Sequence, residues 1–176
     1  MDLSVDEDFQ SFVAGRQRSL LRAAWLLTGD WATAEDLVQT ALVRAWPHWE
    51  RIGGSRGLDG REGAEAYVRR IMVNKALDWR RRRWRGEVPT AEVPDAPGPP
   101  GLARETHLVL VRALHTLPAR QRAVIVLRYF EDLSEADTAA AMDCTVGTVK
   151  THASRALASL RRHPQLSELR LQRSTS

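Results

Sequence analysis

Apolar residues along this chain recur at three- and four-residue intervals, the spacing of one face of an α-helix. In "ATAEDLVQTALVRAW" the positions Ala34, Leu37, Val38, Ala41, Leu42, Ala45 and Trp46 keep that rhythm without a miss, and Pro47 closes the run. Upstream, "FQSFVAGRQRSLLRAAWLLTG" places Phe9, Phe12, Val13, Leu20, Leu21, Ala24 and Leu27 on one face. Thr28-Gly29-Asp30 then supplies a stop and a turn. After the glycine-rich loop "GGSRGLDGREG" (53–63), a long helix is expected from about Ala64 to Arg85, with Val68, Ile71, Met72, Ala76 and Trp79 as its buried stripe.

The pattern breaks at "GEVPTAEVPDAPGPPGLARE", residues 86–105, where five prolines and three glycines leave no period of either kind. Proline removes a backbone donor and holds the chain extended, so this segment reads as a semi-rigid linker. Helical spacing resumes at Leu108–Leu114 and restarts after Thr116-Leu117, with Pro118 suited to a first helical position. "VIVL" (124–127) has strand composition but no partner run to pair with, so helix is favoured. The expected fold is all-α: two small helical bundles joined by the Pro-rich linker.

In the second bundle, "LSEADTAAAMDCTVGTVKTHASRALASLRR" (133–162) reads as two helices meeting at a tight turn. Ser134 followed by Asp137 opens the first, and Thr145 caps the second. Ala139 to Ala141 are small enough for a close crossing, and Asp143-Cys144 makes the turn. Val146, Val149, Ala153, Ala156, Leu157 and Leu160 form the expected inner stripe. Thr148, Thr151, His152 and Arg155 face away, with Lys150 on the flank. Hydroxyls and cations at the start of a second helix suit the major groove, where short polar groups reach base edges and cations grip phosphates. An ordinary helical hairpin with a solvated face is the plainer alternative.

Charge sharpens the choice. Residues 1–60 carry 6 basic and 9 acidic groups, and residues 61–86 carry 9 and 3. Residues 87–106 carry 1 and 4, and residues 107–176 carry 10 and 6. Two basic regions separated by an acidic one point to two contacts with a polyanion. On the long helix, Arg70, Asn74, Asp78 and Arg81 share a face. There an amide can pair with an unstacked base while arginines hold the strand. Tyr67 and Trp84 are candidates either for stacking on bases or for packing. No nucleophile–base pair, phosphate loop or metal-ligand spacing is present, so neither an enzyme nor a cofactor or metal site is expected. A single cysteine, Cys144, and an acidic N-terminus without a secretory signal fit a reducing cytoplasm.

Three blocks carry a family resemblance. "TVKTHASRAL" resembles the recognition helix of LuxR-type regulators and equally the C-terminal DNA-binding region of bacterial sigma factors. "GDWATAEDLVQTALVRAW" (29–46) and "AYVRRIMVNKALDWRRRRWR" (66–85) resemble region 2 of extracytoplasmic-function (ECF) sigma factors of the sigma-70 superfamily. "LPARQRAVIVLRYFEDLSEADTAAAMDCTVGTVK" (117–150) resembles their region 4. The likeness covers about residues 8–162 and is nearest to the actinobacterial SigE-like group.

The resemblance implies region 2 over 1–85, a linker over 86–105, region 4 over 106–162 and a short tail over 163–176, too short for a fused regulatory domain. It further implies a promoter-specificity subunit of core RNA polymerase, with a stand-alone LuxR-type helix-turn-helix regulator as the alternative. Glu35, Asp36, Gln39, Val43 and Arg44 would dock on the β′ clamp helices, and region 4 on the β flap. Tyr67, Arg70, Asn74, Arg81 and Arg82 would meet the −10 element. Thr148, Lys150, Thr151, His152 and Arg155 would meet the −35 element. The acidic Glu87, Glu92 and Asp95 would follow the RNA exit channel. An anti-sigma factor is a candidate partner. The chain departs from the family pattern at Asp143, where glycine is common, and at His152 and Ala153, which replace arginine and leucine.

Overall fold

A computed structural model of the chain describes residues 3–52, 63–83 and 104–166, with side chains over 5–52, 63–79 and 109–166. The glycine-rich loop, most of the 86–105 linker with Glu87, Glu92 and Asp95, Trp84, the side chains of Arg81 and Arg82, and the end of the tail lie outside the described residues.

Among the described residues the regular elements are all helical. They are α1 (Leu3–Thr28), α2 (Trp31–Ala45), α3 (Gly63–Arg83), α4 (Arg104–Thr116), α5 (Ala119–Ile125), α6 (Glu135–Ala141) and α7 (Val146–Arg161), with a 3₁₀ turn at Trp46–His48. The expected breaks occur where their chemistry demands. Gly29 takes φ +80°, which a side chain resists, and Asp30 accepts from the Thr33 N–H at 2.6 Å to start α2. Pro118, expected as the first helical residue, instead occupies the cap position before α5, with ψ 144°. Its fixed φ is compatible with either place, and its extended ψ settles the matter. α5 then widens into a π turn, Val126–Phe130, which no periodicity announced.

α1, α2 and α3 pack against one another, and α2 buries Ala34, Leu37, Val38, Ala41 and Ala45, the face its spacing predicts. Phe9 meets Trp46 and Trp49 at centroid distances of 4.8 Å, and the Trp49 indole N–H donates to Asp8 at 2.9 Å. This tilted and edge-on aromatic cluster fixes the turn after α2 onto α1. In the second half α5, α6 and α7 form the other bundle, with Leu127, Ala139, Ala141, Val149 and Ala156 buried.

The two bundles do not stand apart. α3 packs on α5 and α6, and α1 on α5 and the π turn, so one contiguous core runs through both halves. This doubles the burial of two helices. Five successive residues of α1, Ala23 to Leu27, are buried, which one packed face cannot accomplish. On α3, Ala64, Val68 and Met72 are buried, and so is Val73, turned about 100° from Met72 and about 180° from Ala64. The expected stripe lacked Val73, and its Ile71, Ala76 and Trp79 are only half-buried.

Candidate nucleic-acid interface

α6 and α7 form the helix-turn-helix that the sequence predicts. The Ser134 hydroxyl accepts from the Asp137 N–H at 3.0 Å and the Thr145 hydroxyl from the Thr148 N–H at 3.1 Å, so both helices are capped as expected. Asp143 takes φ 50° in the turn, where a short polar side chain tolerates left-handed backbone better than most. Cys144 is half-buried beside it, and burial pushes its thiol above the ordinary value.

The burial of Val149 and Ala156 sets the rotation of α7. Gly147, Thr151, Ser154 and Ala158 are exposed in the middle of its outward arc, with Arg155 exposed at one edge and Lys150 at the other. Thr151 and Arg155 thus lie where the pattern put them. Ser154 sits at the centre of the arc and was missed, although its three- and seven-residue distances from Thr151 and Gly147 give it the same face. Thr148 and His152 are half-buried at the margin rather than turned outward. Val146, assigned to the inner stripe, is instead 37% exposed at the first position of α7.

The polar groups of this arc are not all idle. The Thr151 hydroxyl donates back to the Gly147 carbonyl at 3.0 Å, a local bond that an incoming acceptor can replace. Lys150 Nζ lies 3.5 Å from Glu135 Oε2 of α6, so this cation is partly countered before any ligand arrives. The partner, Glu135, was missing from the sequence reading, since nothing in the spacing pairs it with Lys150. His152 is held below its usual pKa, first by burial and then by the nearby charges of Arg120 and Arg155.

On α3, Tyr67, Arg70 and Asn74 fall on one side of the helix with exposed Asp78. Arg70 is exposed while Asn74 and Tyr67 are half-buried, and Tyr67 makes an edge contact with the His48 ring at 6.1 Å. Trp79 is half-buried, with Lys75 Nζ 5.6 Å from its ring centre.

A third surface lies on α2, opposite its buried face. Glu35, Gln39, Val43 and Asp36 fall within an arc of about 100°, and Arg44 is turned a further 80° or so. All five are exposed, and Val43 is 71% exposed, the most open large apolar side chain among the described residues. The Trp31 indole donates to Glu35 at 2.9 Å, fixing one rim of this patch. No helix among the described residues is long and apolar enough to cross a membrane.

Comparison with known proteins accounts for both halves. The sigma-70 region 2 family model matches residues 12–86, and the sigma-70 region 4 model matches residues 107–160. The RNA polymerase sigma-E factor of Streptomyces coelicolor is 42% identical over 157 residues, covering 88% of this chain and 84% of that protein. The ECF RNA polymerase sigma factor SigL of Mycobacterium tuberculosis is 37% identical, covering 81% and 80%. Among solved structures, the co-crystal of the sigma factor RpoE with the anti-sigma factor NepR from Bartonella quintana matches with a TM-score of 0.72 at 25% identity, over 92% of this chain and 98% of that one. CnrH in complex with the cytosolic domain of CnrY matches with a TM-score of 0.60 at 26% identity, over 86% and 84%. The chain therefore belongs to the ECF branch of the sigma-70 family, the RNA polymerase sigma factors that direct promoter-specific initiation of transcription.

Proposed function

We propose a division of labour among three faces of this sigma factor. α7 enters the major groove of the −35 element, reading with Thr151 and Ser154 and gripping phosphates with Lys150 and Arg155, while Thr148 and His152 support it from the margin. α3 meets the −10 element through Tyr67, Arg70 and Asn74, with Arg81 and Arg82 continuing along the same helix. The α2 patch of Glu35, Asp36, Gln39, Val43 and Arg44 docks on the β′ clamp helices of core polymerase, and the second half docks on the β flap. On this reading the chain catalyses nothing itself, acts in the cytoplasm, and divides functionally into 1–85, a linker over 86–105, 106–162 and a tail over 163–176.

The observation that carries the proposal is the outward arc of α7: small and hydroxyl side chains at its centre and cations at both edges. A merely solvated face needs no such order, whereas groove reading needs short side chains in the middle and charge at the rims. Val43 supports the docking assignment, since an exposed apolar residue within a polar stripe suits a helix-on-helix contact.

The NepR and CnrY complexes of the structural relatives make an anti-sigma factor a reasonable partner for this chain as well. Run-off transcription with core polymerase, with and without the protein, tests the whole reading. Promoter-specific starts should appear only when it is present. Duplex binding without any gain in polymerase-dependent starts would instead fit a stand-alone regulator.

A further inference from the structure

Gly147 stands at the centre of the outward arc of α7, yet nothing inside the chain requires a glycine there. Gly29 shows what such a requirement looks like. Its φ of +80° suits no side chain, and a Cβ there would stand 2.5 Å from the His115 ring. Gly147 has no positive φ and belongs to the first turn of a regular helix. A Cβ at this position would meet only the Thr145 hydroxyl, at 3.7 Å, an ordinary van der Waals contact. That hydroxyl is already held as the cap, accepting from the Thr148 N–H at 3.1 Å. Alanine would fit, and it would make the better helix, because glycine has more backbone freedom to lose on folding.

The reason for this glycine therefore lies outside the chain, and its place on α7 gives it a direction. At ~100° per residue, Gly147 lies about 40° from Thr151 and about 20° from Ser154 around the helix, and all three are exposed. It also sits at the leading end, the part of a recognition helix that meets base edges. The Thr151 hydroxyl leans back to the Gly147 carbonyl at 3.0 Å and so borders the bare turn. Serine and threonine hydroxyls sit close to their own Cα, and they reach a base edge only when the helix backbone itself comes near. A methyl or longer group on the leading turn would hold that backbone off. Lys150 and Arg155 are long enough to hold phosphates from further away, so the standoff would cost reading more than grip.

We propose that Gly147 is a specificity-determining residue: its bare backbone lies directly against a base-pair edge in the major groove of the −35 element and so brings Thr151 and Ser154 within reach. The proposal rests on the functional reading above and adds a residue that acts by having no side chain. Gly15 supplies the contrast within the same molecule. It too lies inside a helix without positive φ, and a Cβ there would meet nothing within 4 Å, but it belongs to α1 and to none of the three faces assigned above. Both glycines weaken their helices; only Gly147 does so where a duplex is to be read.

The test sets stability against recognition, because the two should move in opposite directions. Polymerase assembled from core enzyme and the full wild-type chain first enriches a promoter fragment from a library randomised over the −35 element. Thermal melts of each free chain are then set beside fluorescence anisotropy of each holoenzyme on that fragment and on one scrambled over the same element. Gly147→Ala should raise the thermal midpoint by about 1–4 °C. It should bind the enriched fragment about fivefold or more weakly, the loss of one well-made base contact, and bind the scrambled fragment as the wild type does. Gly147→Gln, longer but also a good helix former, should weaken binding of the enriched fragment further. Gly15→Ala should raise the midpoint and leave both affinities unchanged. Unaltered affinity of both Gly147 variants for the enriched fragment would overturn the proposal. So would a lowered midpoint for Gly147→Ala, which would mean that the fold itself needs the glycine, or an equal loss of binding with Gly15→Ala. Failure of the wild type to bind core polymerase or to enrich any fragment would sink the functional reading instead.

Discussion

α3 and α7 are both basic helices assigned to DNA, yet they are held in opposite ways. α7 buries one face, centred on Val149 and Ala156, and leaves a broad arc free. α3 is buried over a wider arc, since the adjacent Met72 and Val73 are both covered, and its Arg69 bridges to Glu131 of the second half. A helix gripped from one side can present its outward residues at once. One gripped over a wider arc has part of its surface committed to an internal contact.

Adjacent residues of α3 provide the sharpest way to break this comparison. Met72→Ala should remove support for the first bundle and cost about 2–5 kcal/mol, seen as a large drop in the thermal midpoint. Val73→Ala removes two methyl groups at ~0.8 kcal/mol each, hence about 1.5 kcal/mol, and the loss should fall on the contact between halves. Calorimetry would then show a modest change for Val73→Ala alongside a clear rise in interdomain distance. Equal losses of helix from both variants would mean that the two faces are one structural unit.

The same pair of residues marks the limit of what the sequence discloses. The one-sided packing of α2 and α7 follows from spacing, because a residue's neighbours within a small bundle are fixed by the 3.6-residue period. The caps at Asp30, Ser134 and Thr145 are equally local and equally legible. Contact between the halves is not local. Glu131 meets Arg69 across 62 positions, and no period on α3 distinguishes a valine bound for that surface from a solvated one. A signal did exist in α1, where the run "AAWLL" (23–27) is too continuously apolar for a one-faced helix. At the DNA face the residue types were legible, and the exact rotation of α7 was not. Ser154 shares its face with Thr151 and Gly147 by spacing alone, whereas the 37% exposure of Val146 reflects packing that no period encodes.

A smaller effect addresses how α7 starts. Thr145→Ala deletes the hydroxyl that accepts from the Thr148 N–H and should destabilise the second bundle by about 1 kcal/mol. Hydrogen exchange should quicken over the first turn of α7 and leave α3 unaltered. Acceleration in both helices would show that closure transmits the loss.

Smaller again is the difference between the two edges of the reading arc. Each cation gripping a phosphate steepens the salt dependence of duplex binding by roughly one counterion. Arg155→Gln should flatten that slope more than Lys150→Gln, because Lys150 is partly neutralised by Glu135. Conversely, Glu135→Gln should tighten binding slightly, by about 0.2–1 kcal/mol, the range of an exposed ion pair. A fluorescence titration over several salt concentrations measures all three. Identical slopes for the two cation variants would remove Glu135 from the account.

The finest distinction concerns His152 at the margin between the buried and reading faces. Its pKa is lowered chiefly by burial, so the folded state binds fewer protons than the unfolded chain between the depressed value and the ordinary value near 6.5. Stability therefore rises with pH through that window and is lost as pH falls through it. Arg120 and Arg155 act in the same direction, since a second cation beside either is unwelcome. Replacing the ring by His152→Gln should flatten the acid side of the stability profile and change duplex affinity at neutral pH less than Arg155→Gln does. Thermal melts at pH 5.5 and 7.5, set beside duplex titrations, separate the two roles. A dominant loss of affinity with an unaltered pH profile would move His152 from the margin onto the reading face.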